Sequence, residues 1–83
     1  MFDPNTAVFD REFVPRTSSF VAWVGYDRQQ RILAVDLDRG DTYYYADVPA
    51  DVFFTAQAND IAREGSVGKW WNQMVKPNYR APE

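Results

Sequence analysis

The sequence predicts an α+β fold: a three-stranded antiparallel β-meander followed by two helices packed on one sheet face. Between residues 20 and 46, three short runs rich in β-branched and aromatic residues are separated by polar turns. After Pro49 the apolar spacing changes from strand to helix period. Size agrees with a single small unit, since 83 residues, 46% hydrophobic and 17% aromatic, suffice for one modest core.

Residues 1–16 read as an irregular arm with Pro4, Pro15 and three phenylalanines, Phe2, Phe9 and Phe13. Those rings pack onto the domain, tying the arm down, or dock on a partner, or the arm is disordered. Residues 17–80 form the domain and 81–83 a tail. The strand runs are Phe20–Tyr26, Arg31–Leu37 and Asp41–Ala46. A two-residue turn at Arg39-Gly40 requires positive φ at an arginine, which is sterically unfavourable. A three-residue loop with Gly40 alone in the left-handed region avoids this, and sets Leu33 and Val35 opposite Tyr45 and Tyr43. A four-residue first loop sets Val24 opposite Leu33 and Ala22 opposite Val35. Both choices put Phe20, Ala22, Val24, Leu33, Val35, Leu37, Tyr43 and Tyr45 on one inner face. The outer face then carries Trp23, Ala34 and Tyr44 in one row, beside Val21, Ile32, Asp36 and Thr42.

Pro49 suits a first helical turn and Asp51 its positive end. Val52, Phe53, Ala56 and Ile61 supply an apolar stripe that covers the sheet, and Gly65 stops the helix. Ser66 reads as the N-cap of a second helix, from Val67 to about Lys76, ended by Pro77. Adjacent helical positions point about 100° apart, so one of Trp70 and Trp71 is expected to be partly exposed.

Composition excludes more than it selects. With no cysteine and no histidine, disulfides, thiolate metal sites and the usual acid/base group are absent. Ser18 and Ser19 have no histidine to activate them, and serines beside a strand commonly bond local backbone. Asp27, Asp36, Asp38 and Asp41 lack the spacing of a calcium loop. No catalytic residue, cofactor or metal is expected, so the chain reads as non-enzymatic. There is no targeting pattern and no apolar run of the roughly 18–20 residues that would cross a bilayer, which points to the cytoplasm and to no membrane partner.

The ordered residues Ser18-Ser19, Gly25-Tyr26-Asp27, Leu33-Ala34-Val35, Gly40, Tyr43-Tyr44-Tyr45, Val48-Pro49, Ser66-Val67-Gly68-Lys69, Trp70-Trp71-Asn72 and Tyr79 resemble the KTSC family. These small domains are named for the C-terminus of certain lysyl-tRNA synthetases. The match spans about sixty of the 83 residues. It departs in a longer connection from Pro49 to Ser66 and in Trp-Trp before Asn72, where smaller aromatics are usual. The resemblance implies the fold, with Tyr43, Tyr45, Gly40 and Pro49 as structural motif positions. It implies no established activity, and RNA binding has been suggested for the family from its attachment to a tRNA synthetase.

Charge is uneven. Residues 1–65 hold six arginines against eleven acids, net −5, whereas residues 66–82 hold Lys69, Lys76 and Arg80 with no acid, net +3. An acidic domain is repelled by a phosphate backbone overall, but the basic segment with its aromatics is a candidate contact for single-stranded RNA or tRNA. Its residues are Lys69, Trp70, Trp71, Lys76, Tyr79 and Arg80. The alternative is a protein-interaction module or a homo-oligomer, docking through Trp23 and Tyr44. That pair is either an exposed aromatic patch or lies beneath the arm.

Overall fold

A computed structural model describes residues 3–82; Phe2 and Glu83 lie outside the described residues. Four strands, not three, form one antiparallel sheet in chain order: β1 (Arg11–Phe13), β2 (Val21–Asp27), β3 (Ile32–Leu37) and β4 (Thr42–Tyr45). Two helices follow, α1 (Ala50–Ala62) and α2 (Val67–Trp70), and α2 runs on into a π-helical turn over Trp71–Val75. None of the helices is long and apolar enough to cross a membrane among the described residues.

The extra strand comes from the arm. Its three residues pair with β2, Arg11 opposite Tyr26 and Phe13 opposite Val24. Phe13 then meets Phe53 of α1 at 5.5 Å between ring centroids. A three-residue strand carries almost no periodic signal, and its pairing is long-range, so the arm read as irregular.

The second hairpin has the predicted register, Leu33 opposite Tyr45 and Val35 opposite Tyr43. Gly40 alone takes the left-handed conformation, at φ 103°, and its N–H donates to the Leu37 carbonyl at 2.9 Å. In the first hairpin Val24 faces Val35 and Tyr26 faces Leu33, a shift of two from the predicted pairing. The cause is Asp27. Its carboxylate accepts the N–H groups of Gln29 and Gln30 at 2.9 and 3.0 Å, so the turn begins one residue later and closes through Arg31 at φ 59°. An even shift preserves the faces, and it brings Tyr26 into the core.

A bulge between Val21 and Trp23 changes the start of β2. It turns Val21 inward opposite Leu37, whereas Phe20 and Ala22, expected inside, sit at the rim. A bulge inserts one residue and reverses sidedness beyond it, which alternation cannot reveal. The predicted outer row is corrected too: Tyr44 pairs with Ala34, which pairs with Gly25, and Trp23 stands opposite Asp36. Trp23 still reaches that row, because its ring lies along its own strand over Gly25.

Pro49 sits just before α1, as an extended N-cap residue (φ −65°, ψ 147°). Val52, Phe53 and Ala56 face the sheet, but the fourth buried position is Asp60, and Ile61 is 73% exposed. The helix stops at Arg63, in the left-handed conformation at φ 57°, two residues before Gly65. The predicted cap of α2 is present: the Lys69 N–H donates to Ser66 Oγ at 2.9 Å. The core gathers Val24, Tyr26, Leu33, Val35, Val48, Phe53, Val67 and Val75.

Candidate functional site

Two buried carboxylates position the segments that build the surface. Asp60 accepts from the Arg16 N–H (2.9 Å), the Thr17 N–H (2.9 Å) and the Thr17 hydroxyl (2.7 Å), and that hydroxyl accepts from the Val67 N–H at 3.1 Å. The end of the arm, α1 and the start of α2 are thus joined at one point. Ser18, next along, accepts the Val21 N–H at 3.0 Å. Phe20 then projects over Gly68, where a Cβ would stand 2.5 Å from its ring. Only glycine lets the ring settle there.

Phe20 is one wall of a pocket of about 440 Å³ that Tyr43, Trp71, Asn72, Lys76 and the Asp38-Arg39 turn also line. Trp71 is its base. Phe20 and Tyr43 lean on Trp71 with centroids 6.0 and 5.4 Å away, and the indole N–H donates to the Tyr45 hydroxyl at 2.9 Å. The π-helical turn, closed by Lys76 N–H to the Trp71 carbonyl at 3.0 Å, carries residue 76 back above residue 71. Lys76 Nζ accordingly lies 4.1 Å from the Trp71 ring centroid, a cation–π arrangement. Arg39 pairs with Asp41 at 2.6 Å and donates to the Tyr43 hydroxyl at 3.2 Å. Tyr43 remains 37% exposed and Phe20 40%, so Tyr43, expected in the core, stands at its open edge while Tyr45 is buried.

The basic segment does not form one strip. Trp71 and Lys76 line the pocket just described, whereas Tyr79 and Arg80 line a different one with Ala46 and Asp47. Lys69 is exposed on α2 and lines neither. The expected exposure of one tryptophan is also corrected. Trp70 and Trp71 are 6% and 4% exposed, because this short helical segment is walled by α1 and by the β4 side of the sheet. The Trp70 indole nitrogen is the one buried side-chain polar atom without a partner among the described residues.

Trp23 and Tyr44 lie under the arm. Phe9 meets Trp23 edge-on at 5.4 Å and stacks with Tyr44 at 6.4 Å, leaving both residues half-buried. The arm is held there by the Val8 N–H on Asp27 (3.0 Å) and by an Asp10–Arg28 ion pair at 2.7 Å. Burial pushes the Asp27 carboxyl up, but the N–H groups of Gln30, Val8 and Gln29 outweigh it and hold it below the ordinary carboxylate range. Arg28 lowers exposed Asp10 in the same way. A carboxyl depressed by folding stabilises the fold above its unfolded value near 4, and that contribution disappears as pH falls toward the folded value. We expect the urea midpoint to fall steeply below about pH 4, with a shallower fall in Asp27→Asn; equal acid slopes in the two proteins would refute this.

The KTSC domain pattern matches residues 17–79. The chain belongs to the KTSC family. A protein from Tsukamurella paurometabola is 39% identical over 67 residues, covering 81% of this chain and 92% of that one. An uncharacterised protein from Stutzerimonas stutzeri is 37% identical over 62 residues, covering 75% and 80%. The crystal structure of a KTSC domain protein from Yersinia pestis superposes with a TM-score of 0.61 at 25% identity, covering 88% of this chain and 97% of that one. Several KTSC motif positions have local structural duties here. Ser18 and Ser66 cap backbone N–H groups, Gly40 closes a turn, Gly68 seats Phe20, and Tyr45 receives the Trp71 indole. Ser19, Tyr43, Trp71 and Asn72 are the motif residues at the pocket. Phe20, Arg39 and Asp38 are pocket residues that sequence reasoning missed. They come from a bulged strand start and a turn, which no spacing links to residues 71–76.

Proposed function

We propose that this KTSC domain is a non-catalytic binding module of the cytoplasm whose ligand is single-stranded RNA. The observation that carries the reading is the pocket at Trp71, where two half-exposed rings stand beside Lys76 and Arg39. Aromatic ring faces next to cations suit single strands, since bases stack at about 1–3 kcal/mol each and phosphates take the charge. Two cations are few, and the chain carries net charge −3, so the expected binding is weak and salt-sensitive. Fluorescent single-stranded RNA titrated at low and moderate salt should show affinity falling by roughly 0.7 log units per phosphate contact for each tenfold rise in salt. No binding at low salt, or binding indifferent to salt, removes the reading.

A protein partner or second copy is favoured by a different observation. Phe54, Ala58 and Ile61 are exposed on α1 at helical spacing, away from the sheet. The Trp23–Tyr44 pair is covered by Phe9 and no longer suggests that contact. The same samples sedimented without RNA discriminate: a dimer at micromolar concentration supports self-association, and a monomer throughout excludes it.

A further inference from the structure

Resting on the reading of this pocket as the ligand site, we infer that it is a subsite for a single nucleotide: a base lies against the exposed ring surfaces of Phe20 and Tyr43, and its phosphate meets Lys76. The pocket's size, about 440 Å³, falls within the roughly 300–1,000 Å³ of small-ligand sites, the scale of one nucleotide. Its walls are already built. Both rings are braced against buried Trp71, and Phe20 is seated on Gly68, so little side-chain freedom is lost when a base arrives.

The charges set the orientation. Arg39 is engaged by Asp41 and the Tyr43 hydroxyl. Lys76 makes no ion pair with a carboxylate among the described residues; its neighbour is the Trp71 ring, a weak association that a phosphate displaces. Asp38 lines the same pocket and repels phosphate, which directs the anion to the Lys76 side. As an acceptor, Asp38 favours bases carrying an exocyclic amino group, and the amide of exposed Asn72 offers both a donor and an acceptor. Adenine, cytosine and guanine are therefore preferred to uracil.

The test is an amide and indole NMR titration of the whole chain with adenosine monophosphate, uridine monophosphate, adenosine and inorganic phosphate. Adenosine monophosphate should shift Phe20, Tyr43, Asn72 and the Trp71 indole N–H, with adenosine and uridine monophosphate each several-fold weaker. Tyr43→Ala, at the sheet edge, should weaken adenosine monophosphate about tenfold, and Lys76→Gln should reduce it to the level of adenosine. Phe20→Ala acts in the same direction but also empties the Gly68 seat, so Tyr43→Ala decides the matter. Shifts mapping elsewhere, no shifts, or identical shifts from phosphate alone overturn the subsite. RNA binding that persists in Tyr43→Ala and Lys76→Gln while adenosine monophosphate leaves the pocket unshifted overturns the subsite and keeps the RNA reading. Adenosine monophosphate in the pocket without oligoribonucleotide binding keeps the subsite and removes the RNA reading.

Discussion

Asp60→Ala is expected to destabilise the domain by about 3 kcal/mol or more, because three donors lose a buried acceptor at once and each such loss is worth roughly 1–3 kcal/mol. The donors are the Arg16 and Thr17 N–H groups and the Thr17 hydroxyl. A chain of 83 residues has a total stability of about 4–12 kcal/mol, so roughly a quarter to three-quarters of the margin is at stake. The loss also spreads. The Thr17 hydroxyl accepts the first N–H of α2, and without Asp60 that hydroxyl is no longer held. Asp60→Asn keeps one oxygen as acceptor and should lose only about 1–2 kcal/mol. Thr17→Val removes the link to α2 while leaving both arm N–H groups paired, and should fall between wild type and Asp60→Ala. Urea denaturation of the three variants checks the ranking. An alanine variant within 1 kcal/mol of wild type would show that water satisfies these donors equally well.

Legibility followed the range of the controlling interaction. The second hairpin could be read because Gly40 governs it locally, through one steric preference. The Ser66 cap was similarly local. The first hairpin slipped by two residues because a side chain, Asp27, competed for the turn N–H groups, and such competition has no periodic signature. Ile61 was expected on the inward stripe of α1, but Asp60 is buried there and Ile61 is exposed. The observed stripe runs from Val52, Phe53 and Ala56 on to Asp60, whose carboxylate meets the arm, a demand set by residues more than forty positions away. The tryptophan pair was misjudged for a related reason: a helix on an open sheet buries one side, but this segment has walls on two. Trp71 and Lys76 were visible as site candidates because they lie close together in the chain. Phe20 was not, since its exposure depends on the bulge and its seat depends on Gly68.

Gly25→Ala should be the most damaging single-methyl change in the sheet. In an open strand, alanine in place of glycine stabilises by roughly 0.5–1 kcal/mol, so the backbone alone predicts a gain. The added Cβ would stand 2.1 Å from Cη2 of Trp23 and 2.5 Å from Cζ2, well inside contact distance. The indole must therefore leave the sheet surface. Phe9 packs edge-on against that indole and stacks on Tyr44, so the arm is unseated with it. Overpacking of this kind is worth about 1–3 kcal/mol, which exceeds the backbone gain, and the expected net result is destabilisation with red-shifted Trp fluorescence. The sign reverses once the ring is removed. In a Trp23→Ala background the same glycine-to-alanine change should be neutral or stabilising, a coupling that a double-mutant cycle measures directly. If Gly25→Ala destabilised both backgrounds equally, the strand itself rather than the Trp23 ring would be what requires glycine.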